Sequence, residues 1–201
     1  TPVESLAALG VDAVVVATPA PVAASLVAEA PRAATHLRTV DHASVALSVL
    51  VYPASAFPRP TTGTGFLVPR TEGRLLTACS FGSSKWPHWA RPGQVVLRAS
   101  AGRRGDDRAL AMGDDELVEG LHAELAEALG LTDSPVEAHV ARWVDAFPQY
   151  RVGHLERVAR IEASLARDLP AVAVAGAALR GIGVASCIAQ GRRAARQALE
   201  T

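Results

Sequence analysis

Residues 171–199 read AVAVAGAALRGIGVASCIAQGRRAARQAL, and this stretch decides the fold. Its opening alternates Ala and Val and stops at glycine, the pattern of a short, fully buried strand. Its end predicts an amphipathic helix, with Val184, Ile188, Gly191, Ala195 and Ala198 recurring at three- and four-residue steps on one face. Between them stand Gly176, Gly181 and Gly183, which put no side chain in front of the helix's opening amides. Strand, glycine turn and helix N-terminus together form an anion site, because unpaired N–H groups and the positive end of the helix dipole point outward. Pyrophosphate, or the electron-rich edge of a flavin, suits such a site. Glycines that only let a helix pack on a strand give the same pattern, so on these residues alone both readings stand.

Upstream, the β-branched run Val11–Ala17 predicts a buried parallel strand stopped by Thr18-Pro19-Ala20-Pro21. Ala20 to Ala30 then reads as a short helix ended by Pro31. Strand character returns over Ser44–Val51, followed by a proline-rich loop from Pro53 to Thr62. Phe66–Val68 and Arg74–Cys79 flank a Glu72-Gly73 turn as an antiparallel hairpin, and Gln94–Ser100 adds a strand. Asp114–Leu129 is the clearest helix, with an acidic first turn, a stripe of Leu117, Leu121, Leu125 and Leu129, and Gly130 as its stop. Val136–Val144 predicts a strand leading into the FPQY turn, and His154–Arg167 a helix with Leu155, Val158, Ile161 and Leu165 as its core face. The class is α/β (α+β overall): an outer α/β layer brackets an antiparallel-rich insertion.

With 201 residues, 49% hydrophobic and 20% charged, the composition is globular and holds one sizeable core or two small ones. Twenty basic residues balance twenty acidic ones, so no global field favours nucleic acid. Cys79 and Cys187 lie far apart, which fits a reduced, cytoplasmic setting rather than a disulfide or zinc site. The six histidines are scattered without HExxH spacing, and the serines of 80–84 lack a G-x-S-x-G elbow. Asp106-Asp107 and Asp114-Asp115-Glu116 read as loop and helix-start charge. No apolar run reaches transmembrane length. The chain opens without Met, amid what reads as a helix or loop before a strand, and is expected to be the C-terminal part of a longer protein.

Gly176, Gly181-Ile182-Gly183-Val184, Cys187-Ile188, Gly191 and Ala194-Ala195 resemble the C-terminal flavin signature of the protoporphyrinogen and coproporphyrinogen oxidases, a branch of the amine-oxidase-like flavoproteins. GTGFLVP (63–69), TACSFGSSKWPH (77–88) and WVDAFPQYRVGHLERV (143–158) narrow the resemblance to the porphyrinogen branch, in order along nearly the whole chain. The resemblance implies the end of an FAD-binding Rossmann-like domain (1–37 and 146–201) around a substrate domain (38–145). It implies that Ile182, Gly183 and Val184 contact FAD and that Trp143 lies against the flavin, where a core tryptophan is the plain alternative. Gly65 and Leu67 fall where relatives approach the porphyrinogen, although Thr64 stands where some carry an aromatic. Arg70, Lys85 and Arg91 are candidate partners for substrate carboxylates by proximity alone.

The implied reaction is oxygen-dependent oxidation of coproporphyrinogen or protoporphyrinogen in heme biosynthesis, with TACSFGSSKWPH leaning towards the bacterial enzymes that use the former. Peripheral membrane contact and a homodimer are left open. Two alternatives are carried: a desaturase or amine oxidase sharing the same signature, and a catalytically inert chain, since the nucleotide-binding G-x-G-x-x-G fingerprint is missing.

Overall fold

The computed structural model describes residues 9–200. They form two compact units, one discontinuous (the residues up to His42 and from Pro148 onward) and one continuous (Ala43–Phe147). The sequence resemblance places these boundaries at 37/38 and 145/146. In chain order come strand β1 (Val14–Val16) and helices α1 (Ala20–Leu26) and α2 (Pro31–Arg38). Strands β2 (His42–Pro53), β3 (Gly65–Leu67) and β4 (Leu76–Phe81) follow, then the short helix α3 (Gly82–Lys85) and strand β5 (Gln94–Ala101). Helices α4 (Arg108–Ala111) and α5 (Asp114–Leu129) lead into β6 (Glu137–Pro148). The chain closes with α6 (His154–Asp168), β7 (Val172–Val174) and α7 (Val184–Leu199).

In the discontinuous unit, β1 and β7 pair in parallel, Val14 opposite Val172 and Val16 opposite Val174. Alternation along β7 sends its side chains to two faces. Val172 and Val174 join Val16, the alanines of α1 and α2, and Val158, Ile161 and Leu165 of α6 in one core. Ala173 and Ala175 cluster instead with Ala194 of α7. Helices therefore cover both faces of the strand pair, as buried parallel sheets require.

Three sequence expectations are corrected here. Pro31 does not end the first helix, which stops at Leu26; it opens α2 at the first helical position, where the missing N–H costs nothing. Leu155 is exposed, and His154 takes the first core position of α6 ahead of Val158, Ile161 and Leu165. The apolar stripe of α7 is not its buried side: Gln190 and Ala194 are buried, whereas Val184 is 78% exposed and Ile188 is exposed too. The cause is size: only a small residue such as Ala194 lets the helix close on Ala173 and Ala175.

The continuous unit carries a five-stranded sheet in the order β3-β4-β5-β2-β6, antiparallel at the β3/β4, β4/β5 and β2/β5 pairs. Leu117, Leu121 and Leu125 of α5 pack on one sheet face against Leu50, Tyr52, Leu97 and Ala99. Helix α5 has the bounds read from the sequence, and Gly130 ends it in the left-handed conformation at φ 71°. The hairpin around Gly73 forms as expected, with Phe66 opposite Cys79. Strand β6 runs past Val144 to Pro148, so half of the FPQY turn is strand. Near its end Asp145 adopts φ 47°, and its N–H donates to Ser44 Oγ at 2.9 Å. Among the described residues no helix is long and apolar enough to cross a membrane.

Candidate functional site: the 176–183 turn and an open strand face

The turn between β7 and α7 is held on one side by Tyr150, His154 and Gln190. Tyr150 Oη accepts the Gly181 N–H at 2.8 Å and donates to the Ala177 carbonyl at 2.5 Å. Gln190, buried on α7, accepts the Arg180 N–H through Oε1 at 3.2 Å and donates from Nε2 to the Gly181 carbonyl at 3.3 Å. His154 Nε2 lies 2.7 Å from the Leu179 carbonyl, so it is the protonated, donating nitrogen. Arg180 is anchored outside by Glu162 at 2.6 Å, and Glu162 also takes Arg193 of α7 at 2.6 Å. These hydrogen bonds, from Arg180 first, hold the Glu162 carboxyl below the usual glutamate range.

The outer side is bare. Ile182, Gly183 and Val184 are all exposed, and no side chain caps α7 at Gly183. The first amides of α7 therefore face outward without an intrahelical acceptor. The glycines of the turn differ in their reasons. Gly181 sits at φ 129°, and a Cβ there would meet Ser186 at 2.8 Å. Gly183 has an ordinary φ of −71°, and a Cβ on it would meet nothing within 4 Å. Among the described residues nothing asks residue 183 to be glycine. The packing-only reading accounts for Gly181 and leaves Gly183 unexplained.

In the other unit, Leu67 is 82% exposed on β3, while Phe66 turns into the core and meets Phe81 edge-on at 6.1 Å. Gly65 has a reason internal to the fold: at φ 137° its Cβ would stand 2.1 Å from the Cys79 carbonyl of β4. The close approach it permits is to the neighbouring strand. Trp143 is 53% exposed on β6, outside the core of the continuous unit. Each candidate cation already has a partner in the chain. Arg70 donates to the Arg104 carbonyl, Arg91 pairs with Glu137 at 3.1 Å, and Lys85 Nζ sits 4.8 Å from the Trp86 ring centre.

Tyr150, His154 and Gln190 escaped the sequence reading as site residues. The signal for two of them was present: a Tyr and a His four apart in QYRVGH, with the histidine on the core face of a helix. Gln190 offered a subtler one, a polar residue on the helix side opposite its apolar stripe. Both cysteines are free thiols, and burial pushes the Cys79 thiol up to about 12, so it is no nucleophile. No cluster of metal-ligating side chains occurs among the described residues.

Residues 7–199 match the family of flavin containing amine oxidoreductases. The chain belongs to that family. It is similar to proteins bearing porphyrinogen oxidase names, as the sequence resemblance implies. It is 34% identical over 191 residues to the coproporphyrinogen III oxidase of Bacillus subtilis, covering 95% of this chain and 40% of that protein. It is 39% identical over 191 residues to the coproporphyrinogen III oxidase of Mycobacterium tuberculosis, covering 94% of this chain and 40% of the relative. A solved structure from Exiguobacterium sp. 255-15, provisionally named protoporphyrinogen oxidase, superposes with a TM-score of 0.82 at 29% identity, covering 94% of this chain and 42% of that one. The chain thus spans about two fifths of the length of the relatives it matches. A flavin is the family's cofactor, in line with the expectation from the 171–199 stretch.

Proposed function

We propose that the protein carrying this chain is an FAD-dependent coproporphyrinogen oxidase. The carrying observation is the match of residues 7–199 to the flavin family, with Gly183 where the flavin resemblance falls. Gly183 is an exposed glycine with ordinary backbone and empty surroundings, as Gly113 at the start of α5 also is, but here at a helix whose preceding turn is clamped by Tyr150 and Gln190. A residue free to carry a side chain, yet lacking one where amides face outward, fits a ligand that lies close against it. Ile182, Gly183 and Val184 would hold the flavin, and their unpaired amides would stabilise negative charge on the reduced ring. When bound, the flavin supplies the hydride acceptor and hands the electrons on to oxygen.

The discontinuous unit is read as the cofactor part and the continuous unit as the substrate part. Leu67 offers an apolar side chain for a flat macrocycle, and Gly65 serves by letting β3 pair closely enough with β4 to present it. Trp143 is read as lying against the flavin. Each porphyrinogen loses six hydrogens, as three hydrides and three protons, while three oxygen molecules become three hydrogen peroxide molecules. The names of the bacterial relatives support coproporphyrinogen over protoporphyrinogen, and two free thiols suit a cytoplasmic setting.

The test is direct. The natural protein carrying residues 1–201 should purify yellow and turn colourless coproporphyrinogen into fluorescent porphyrin, with peroxide released. It should prefer coproporphyrinogen to protoporphyrinogen when both are offered. Residues 1–201 alone should bind FAD weakly or not at all. Flavin binding with amine oxidation and no porphyrin fluorescence would overturn the substrate, and absence of flavin would overturn the class.

A further inference from the structure

We propose that Tyr150 is a positioning residue whose single hydroxyl sets the aim of the flavin-facing amides. The inference rests on the flavin reading above. Tyr150 stands just beyond β6, and its ring lies flat on the His154 ring, 3.8 Å between centres and 12° between planes. His154 is itself fixed, buried at the start of α6 with Nε2 donating to the Leu179 carbonyl. Its Nδ1 is buried with no partner, so one tautomer and one ring orientation are selected. A rigid ring thus carries the phenol to the turn.

The hydroxyl there spans from Ala177 to Gly181. The Gly181 peptide units are held on both sides: Tyr150 takes the N–H, and Gln190 and the Cys187 thiol, the latter at 3.7 Å, take the C=O. Gly181 is also the residue at φ 129°, where glycine alone has freedom to swing. Clamping it decides how Ile182 and Gly183 leave the turn, and so where the first amides of α7 point. Tyr150 is 42% exposed, and the partial desolvation of its phenol raises it above its ordinary range, which keeps the proton it donates to Ala177.

Tyr150→Phe keeps the stacked ring and removes only the bridging oxygen. In the natural protein we expect about ten-fold weaker FAD binding, from two lost hydrogen bonds to the turn. The bound flavin's visible absorption band should shift, and the Gly181 amide of the apoprotein should exchange faster. Gln190→Leu should act in the same sense, and the double variant should be non-additive, because the two residues hold the peptide units on either side of Gly181. Wild-type FAD affinity and spectrum in Tyr150→Phe, beside a wild type that binds FAD, would overturn the positioning role alone. A wild type that binds no FAD would overturn the flavin reading and this inference together.

Discussion

The glycine segments 63–69 and 176–183 look alike in sequence, and the structure separates them. In the first, Gly65 is demanded by the fold, with a positive φ and a strand carbonyl 2.1 Å from where its Cβ would stand. In the second, Gly181 is demanded in the same way, but Gly183 is not. A glycine points to a ligand only when the chain itself gives no reason for it. The difference assigns the two segments unequal weight: the turn before α7 speaks for a cofactor by its backbone, whereas the hairpin strand speaks for a substrate through the exposed side chain of Leu67.

The largest effect that tests this contrast is Gly65→Ala. A methyl group there must displace β4 backbone in an unfavourable conformation, so we expect a loss of about 3 kcal/mol or more. Denaturant titration would read it, and unchanged stability would remove the fold's claim on Gly65. Close behind is Phe66→Arg, which places a cation in the core of the continuous unit and should cost a similar amount. Leu67→Arg points to solvent and should leave the melting temperature and bound FAD near wild type while impairing porphyrin formation. Normal turnover of Leu67→Arg, or its unfolding like Phe66→Arg, would break the substrate side of the comparison.

Gly183 allows a test in which stability and function move in opposite directions. Its backbone, φ −71° and ψ 150°, is that of a helix N-cap with no capping side chain. Asp is among the best residues for that place. Gly183→Asp should therefore stabilise the apoprotein by a few tenths of a kcal/mol, since a carboxylate caps α7 and meets its dipole. The same carboxylate should block the flavin and repel its reduced form, abolishing FAD binding. A variant that keeps full flavin content would return Gly183 to the packing reading.

Much of this was legible in the sequence because period and punctuation coincide with the physics. Asp114–Leu129 carries its acids, leucine stripe and closing glycine in helical order, and the structure has that helix. The 171–199 stretch gave strand, turn and helix in their places. The outward stripe of α7 was misread because periodicity finds a face without saying what covers it; the alanines of β7 chose the small side. Pro31 misled because a proline that reads as a helix stop fits equally well at the first position of the next helix, and α1 ends at Leu26 without it. Tyr150 and Gln190 were harder to read for a different reason: the local pattern marks them only as polar residues beside a core face, while the backbone they hold lies 27 to 31 residues or 9 to 10 residues away and is brought to them by the fold.

The smallest expected effect compares the two units by pH. Glu162 joins α6 to Arg180 of the turn and to Arg193 of α7; the Glu162 and Arg180 side chains are partly buried and Arg193 is exposed. In the hairpin unit, Glu127 pairs with Arg74 at 2.5 Å on a more open surface. Both carboxyls are held below the usual range, chiefly by the arginine hydrogen bond. A depressed folded-state pKa contributes stability above the unfolded value, near 4.3, and that contribution fades as pH falls through the folded value. Glu162→Gln should cost about 0.5–1 kcal/mol at neutral pH, and the gap to wild type should close below about pH 4. Glu127→Gln should show a weaker trend, because solvent screens its pair. Melting curves for both variants between pH 7 and pH 3 decide it: a Glu162→Gln gap that stays constant across that range means the ion pair does not brace the turn, and a steeper trend in Glu127→Gln means the hairpin, not the cofactor turn, depends more on its charges.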